Sequence, residues 1–293
     1  MRSKIAPNRF SRRISWLAIA AAMATAAPVM ATAVASPTTD NWNGNAGDGK
    51  FSTAGNWSTG AVPTASDIAV FDLGAANTYT VTLSVASYSS QMIVDNNALT
   101  LANGGNAYTL SSTGTIGSGS ESLIVGNGSG DTAANLTLGA NGYGIGSGVN
   151  GTIGEVNGSV GTLTIGTAGN TYGTNALQLS GALAVGYGGN GTLTINAGAA
   201  SVGGDLDIAA LSGSIGKVDI ELTSVGGCSS GPSPLKVGGN LYVGGNASGA
   251  GGTGTLLING TNGQYGSGSY GVRATGTATI YSGATVTLNR GLL

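Results

Sequence analysis

The stretch Gly161-Thr162-Leu163-Thr164-Ile165 decides the fold, because the chain repeats it unchanged as Gly191-Thr192-Leu193-Thr194-Ile195. Looser copies follow at Gly254-Thr255-Leu256-Leu257-Ile258 and at Gly276-Thr277-Ala278-Thr279-Ile280. Within each copy apolar residues alternate with threonines, which is typical of a β-strand with one buried face. Recurrence of such a strand at intervals of tens of residues predicts a stacked repeat, not a domain with one central core.

A second strand phrase precedes most copies of the first. It occurs as Ser122-Leu123-Ile124-Val125-Gly126, Ala182-Leu183-Ala184-Val185-Gly186 and Asn240-Leu241-Tyr242-Val243-Gly244, with Asp205-Leu206-Asp207-Ile208 as a variant. The inward positions of both phrases form the predicted core: Leu123, Val125, Leu163, Ile165, Leu183, Val185, Leu193, Ile195, Leu241, Val243, Leu256 and Ile258.

The spacing of the repeats distinguishes between repeat architectures. Equivalent positions of the first phrase, from Leu136 to Ala278, are 22 to 38 residues apart. Loops of variable length are tolerated when they project from one edge of a stack, whereas propeller blades need more strand per repeat. We therefore predict an all-β chain, a β-solenoid over residues 78–293 with on the order of ten turns. Its first strands are expected at Tyr79–Leu83, Gln91–Val94, Ala98–Leu101 and Tyr108–Leu110, and Gly114–Gly117 is echoed at Gly151–Gly154.

The first 35 residues differ in composition from the rest. Five basic residues precede an apolar run from Trp16 to Val29, and small residues follow at alternate positions around Ala31-Thr32-Ala33. This pattern predicts a secretory signal peptide over residues 1–35. Ser11-Arg12-Arg13 leaves twin-arginine export open beside the general secretory route.

Removal of the predicted leader changes the charge of the protein. The whole chain has 10 basic and 12 acidic residues, and the leader carries five of the basic ones, so the exported part has a net charge of −7. Nucleic acids and anionic membranes are poor partners for such a chain. Its single cysteine, Cys228, cannot form an internal disulfide.

Residues 36–77 are predicted to form an N-terminal cap. They hold Trp42, Trp57 and Phe71, and no tryptophan follows them. A solenoid needs its open end covered, and bulky aromatic residues at the first turn can do this. The alternative is that Trp42 and Trp57 form a platform on which a sugar stacks.

The paired phrases resemble the passenger-associated strand repeats of bacterial autotransporters and the related repeats of large exported proteins. Asn56-Trp57, followed by Pro63, Asp67 and Phe71, is similar to the segment that begins many such proteins. The resemblance covers most of the chain from about Asn41 onward. It implies a right-handed parallel β-helix at the cell surface, on the outer membrane or secreted, with adhesion as the usual role. An autotransporter would continue into a C-terminal barrel, so we expect either a truncated chain or a separate anchoring protein.

The sequence gives little support for catalysis. It contains no histidine, so histidine triads and histidine metal sites are excluded. No cofactor and no metal are predicted. The one candidate cluster consists of carboxylates at alternate positions of two strands that were expected to lie close together: Asp205, Asp207, Asp219 and Glu221. A solvated face balanced by Lys217 and Lys236 is the simpler interpretation.

Two functions follow from these patterns. The first is an exported, non-catalytic module for adhesion or structure, which contacts a host surface, a polysaccharide or its own copies. The second is a carbohydrate-active β-helix enzyme, a hydrolase or lyase, that uses the four carboxylates. A spacer without any ligand is the third hypothesis.

Overall fold

The computed structural model describes residues 37–75, 77–130, 133–139, 145–166, 175–222, 233–260 and 271–289. They belong to one compact unit, Ser36–Leu293. The predicted signal peptide and Cys228 lie outside the described residues.

Three sheets organise the described residues, and all neighbouring strands within them are parallel. Strands are numbered in chain order. Sheet A consists of β1 (Thr39–Asn41), β2 (Ile68–Phe71), β5 (Gln91–Val94), β8 (Leu123–Val125), β11 (Gly151–Ile153), β14 (Leu183–Val185), β17 (Leu206–Ile208), β20 (Leu241–Val243) and β25 (Ala278–Ile280).

The other two sheets are built in the same way. Sheet B consists of β3 (Thr78–Thr82), β6 (Ala98–Ala102), β9 (Ala134–Leu138), β12 (Val160–Ile165), β15 (Asn190–Ile195), β18 (Ile215–Leu222), β23 (Thr253–Gly260) and β26 (Thr285–Asn289). Sheet C consists of β4 (Ser87–Ser89), β7 (Tyr108–Leu110), β10 (Ile145–Gly148), β13 (Asn175–Leu179), β16 (Ala199–Val202), β19 (Leu235–Val237) and β24 (Val272–Ala274). A short antiparallel hairpin, β21 (Gly245–Asn246) and β22 (Gly249–Ala250), and a 3₁₀ turn at Ala54–Asn56 complete the described elements.

The chain visits the sheets in a fixed order, A then B then C, and advances by one strand in each sheet per round. The described strands make seven such rounds, from β2 to β24, and β25 and β26 begin another. For the described residues, the prediction of an all-β fold with long sheets of parallel strands is confirmed. The predicted strands at Gln91–Val94 and Tyr108–Leu110 have the observed bounds.

The repeated phrases lie directly above one another. Leu163 pairs in register with Leu193, and Ile165 with Ile195, in strands β12 and β15 of sheet B. The second phrase supplies the strands of sheet A, where Leu183 aligns with Leu206. Identical phrases thus occupy identical places in successive rounds.

Two assignments from the sequence are wrong. Gly276–Ile280 was matched to the first phrase, yet its strand, β25, pairs with β20 in sheet A and so belongs to the second phrase. The next copy of the first phrase is β26, whose Leu288 aligns with Ile258. Gly114–Gly117 forms no strand, although its echo Gly151–Ile153 is β11. Short apolar alternation alone does not specify which sheet a strand joins.

The core lies between the three sheets. It contains all the residues that the alternation predicted to face inward, each almost fully buried: Leu123, Val125, Leu163, Ile165, Leu183, Val185, Leu193, Ile195, Leu241, Val243, Leu256 and Ile258. Because every round contributes the same small inward set, burial repeats along the stack, and each residue packs on its equivalents in adjacent rounds.

The aromatic residues predicted for the cap are also in the core. Trp42 and Trp57 meet edge to face with centroids 5.1 Å apart, and Phe71 lies 5.5 Å from Trp57. Both tryptophans are buried, whereas a sugar-stacking platform needs an exposed ring face.

Candidate functional site

The four carboxylates predicted as a cluster fall on two sheets. Asp207 lies in β17 of sheet A and Asp205 precedes that strand, whereas Asp219 and Glu221 lie in β18 of sheet B. Within a round, successive strands of the three sheets belong to different sheets, because parallel stacking places the neighbouring strand one full round later. The structure therefore yields two pairs in place of one cluster.

The pair on sheet B is held by other side chains. Asp219 forms a salt bridge with Lys217, with Nζ and Oδ2 2.8 Å apart. Glu221 Oε1 accepts a hydrogen bond of 2.7 Å from Asn259 Nδ2, and Asn259 Oδ1 accepts one of 3.0 Å from Asn289. The hydrogen bonds of Glu221 and Asn259 join successive rounds and support a structural role for Glu221, whereas the salt bridge lies within β18 and leaves Asp219 Oδ1 unpaired.

The pair on sheet A differs between its members. Asp205 Oδ1 accepts hydrogen bonds from the backbone and side-chain nitrogens of Asn240, at 2.7 and 3.2 Å. Asp207 Oδ1 is buried and has no hydrogen-bond partner. Burial, with a smaller contribution from the charge of Asp205, raises the pKa of Asp207 to about 7. This carboxyl group therefore holds a proton up to neutral pH.

Asp207 lies beside tyrosine side chains. It aligns with Tyr242 in β20, and the ring of Tyr242 stacks on that of Tyr281 with centroids 6.5 Å apart. Tyr281 Oη donates a hydrogen bond of 2.7 Å to the backbone oxygen of Asn246, which fixes the position of the Tyr281 ring.

A second carboxyl pair, which the sequence analysis did not identify, lies on the outer face of sheet A. Glu121 precedes β8 and Glu155 follows β11, and the two side chains are 0% and 4% exposed. Thr152, in the middle of β11, donates a hydrogen bond of 3.1 Å to Glu121 Oε1. Glu121 Oε2 and Glu155 Oε2 are buried and receive no hydrogen bond from a donor group of the described chain.

The pair is buried because a loop covers it. We call Ser112–Ser120 the covering segment. Beneath it, the outward-facing residues of three adjacent strands, Ile124, Thr152 and Ala184, are fully buried. On the uncovered part of the same sheet, the equivalent Ile93 is only half-buried.

Both carboxylates hold the covering segment from below. Glu121 Oε1 accepts hydrogen bonds from the backbone N–H groups of Gly117 and Ser118, and Glu155 Oε1 accepts one of 2.8 Å from Gly119. Gly117 has φ +77°, and a Cβ there would lie 2.1 Å from the ring of Tyr187, so glycine is needed at this contact.

Neutral side chains anchor the covering segment at two further points. Asn150 Nδ2 donates a hydrogen bond of 2.7 Å to the backbone oxygen of Gly114, and Gln91 Nε2 donates one of 3.0 Å to that of Gly119. The segment therefore rests on sheet A through a few polar contacts, of which the carboxylates supply the charged ones.

The environment of Glu155 favours its protonated form. Burial, then the negative charge of Glu121, raises the pKa of Glu155 to about 7, and the charge of Asp95 adds to this. A buried carboxyl group that feels a second negative charge is most stable when one of the two groups carries a proton.

Comparison with known proteins gives no match: no family model, curated protein or solved structure is similar to this chain at a significant level. Within the described ranges, no three acidic, cysteine or histidine side chains are grouped so that they could hold a metal ion. In the same ranges no helix is both long and apolar enough to span a membrane.

Proposed function

We propose that the chain is a right-handed parallel β-helix with an N-terminal aromatic cap, exported by its leader, which acts at the cell surface or in the medium as a non-catalytic adhesion or structural module. It is similar in this respect to autotransporter passengers. The observation that carries this proposal is the in-register stacking of three parallel sheets, which gives the molecule long, regular outer faces.

The contacts of residues 37–71 support the cap. Strand β1 (Thr39–Asn41) lies at the edge of sheet A and pairs with β2, where the first complete round begins. Phe51 N donates a hydrogen bond of 3.1 Å to Thr82 O, and Thr82 N donates one of 2.8 Å to Gly49 O, which pairs the edge strand of sheet B. Covered edge strands are protected from pairing with another chain.

The outer face of sheet B supplies the proposed contact surface. Five threonines, which we call the threonine column, align on consecutive strands: Thr80, Thr100, Thr137, Thr164 and Thr194. Strand spacing repeats their hydroxyl groups about every 4.8 Å. Each hydroxyl both donates and accepts a hydrogen bond, which suits the hydroxyl groups of a polysaccharide.

Binding of the purified protein to insoluble polysaccharides tests this proposal. We expect the double variant Thr164→Glu/Thr194→Glu to bind at least about tenfold more weakly, since two charges would have to be desolvated. The matched control is Gln178→Glu/Ser201→Glu, a pair aligned in the same way on sheet C. Equal loss in both variants, or no binding by the wild type to any surface tested, would favour the spacer.

One observation favours the carbohydrate-active enzyme as a second candidate. Asp207 Oδ1 is buried without a hydrogen-bond partner, which raises the pKa of this carboxyl group to about 7, and Asp207 lies two residues from a second carboxyl group, Asp205; glycoside cleavage needs such an acid and its partner. We expect reducing-sugar release from an acidic polysaccharide to fall at least about a hundredfold in Asp207→Asn. Asp219→Asn, on sheet B, is the control that should keep activity. Absence of release by the wild type across a polysaccharide panel rejects this candidate.

A further inference from the structure

We propose that the covering segment, Ser112–Ser120, is a pH-sensitive strap that is held closed on sheet A by one proton shared between Glu121 and Glu155. When that proton passes to solvent, the two carboxylates repel each other and the strap opens. The proposal is independent of what the outer faces of the molecule bind.

The geometry makes closure of the strap over Glu121 and Glu155 dependent on a proton. One oxygen of each side chain accepts hydrogen bonds from the strap, and the other is buried and receives none from a donor of the described chain. Two buried negative charges without a counter-ion are strongly destabilising, whereas a carboxyl group bonded to a carboxylate is not.

The charged groups around the pair increase this dependence. Asp95, which follows β5, the neighbour of β8 in sheet A, adds a further negative charge near Glu155 and accepts a hydrogen bond of 2.7 Å from Asn127 N. Tyr187 contacts the strap through its ring at Gly117. The salt bridge found in the described residues joins Lys217 and Asp219 on sheet B, so it does not offset the charge of the pair.

The direction of the pH effect follows from proton linkage. The pKa of Glu155 is about 7 when the strap is closed, and it returns toward its ordinary 4.5 when opening exposes the group to water. The closed state therefore binds the proton more tightly, and it is fully favoured below the ordinary pKa. As the pH rises from there to about 7, the closing equilibrium weakens by about tenfold per pH unit, and above 7 it is constant.

Hydrogen exchange of the full chain tests the strap. Protection of the Gly117, Ser118 and Gly119 amides, normalised to their intrinsic exchange rates, should fall about fortyfold between pH 5 and 7 and level off by about pH 8. Glu155→Gln keeps an acceptor for Gly119 and can donate to Glu121, so its protection should be high and independent of pH. Asp207→Asn, the control, removes another group of raised pKa and should keep the wild-type profile.

Three results would overturn the proposal. The first is a flat profile in the wild type, which needs no variant to fold. The second is an unchanged slope in Glu155→Gln. The third is full recovery of protection at pH 8 on addition of calcium, because it would assign the pair to a cation instead of a proton.

Discussion

Gly191→Ala should lower the free energy of unfolding by about 3 kcal/mol or more, measured by chemical denaturation. A Cβ on Gly191 would lie 2.1 Å from Gly186 N and 2.3 Å from Ile153 O. Both are backbone atoms of sheet A strands or the turns that leave them, so no side-chain rotation can relieve the overlap. Two adjacent rounds of the stack would have to separate locally.

A second glycine within a strand provides the matched control. Gly146 lies in β10, and a Cβ there would have no heavy atom within 4 Å. Gly146→Ala should therefore change stability by less than about 1 kcal/mol, because it only restricts the unfolded chain. If Gly191→Ala were as stable as the wild type, the close approach of these backbone segments would not be needed for the stack.

The same contact explains why a glycine opens four successive copies of the first phrase, β12, β15, β18 and β23. Gly161, Gly191, Gly216 and Gly254 align in register in sheet B, and a Cβ at any of them would overlap backbone atoms. The sequence shows the glycines but suggests only turns. The backbone atoms that they approach come both from the turn five to ten residues earlier and from a strand of the preceding round, more than 30 residues away. Alternation predicts which residues are buried, and it does not predict such distances between segments.

The carboxyl groups also show that closeness in sequence does not predict closeness in space. Asp207 and Asp219 are close in sequence and lie on different sheets, whereas Glu121 and Glu155 are 34 residues apart and meet. A separation of about one round is the spacing at which side chains of a stack become neighbours. A search for acidic residues one round apart would have selected Glu121 and Glu155, but not the loop that buries them.

Trp57→Ala should destabilise the protein by about 3 to 5 kcal/mol. Trp57 is 2% exposed, and its ring lies 4.8 Å from Phe51 and 5.1 Å from Trp42, centroid to centroid. Its Nε1–H donates a hydrogen bond of 2.8 Å to Phe51 O, which would lose this donor in the variant. The substitution thus leaves a cavity and an unpaired buried acceptor together.

The position of the strands that lose hydrogen-exchange protection distinguishes a cap residue from an ordinary core residue. If residues 39–57 cover the first turn, hydrogen exchange in Trp57→Ala should accelerate in β1 to β4 and remain near wild type from β12 onward, because stacked rounds stabilise mainly their neighbours. Trp57→Phe keeps one aromatic ring but loses the hydrogen bond and part of the buried indole, and it should cost less, about 2 to 3 kcal/mol. Uniform acceleration along the whole stack would instead mean that the rounds open as one cooperative unit to which the aromatic cluster contributes, and it would contradict a local cap.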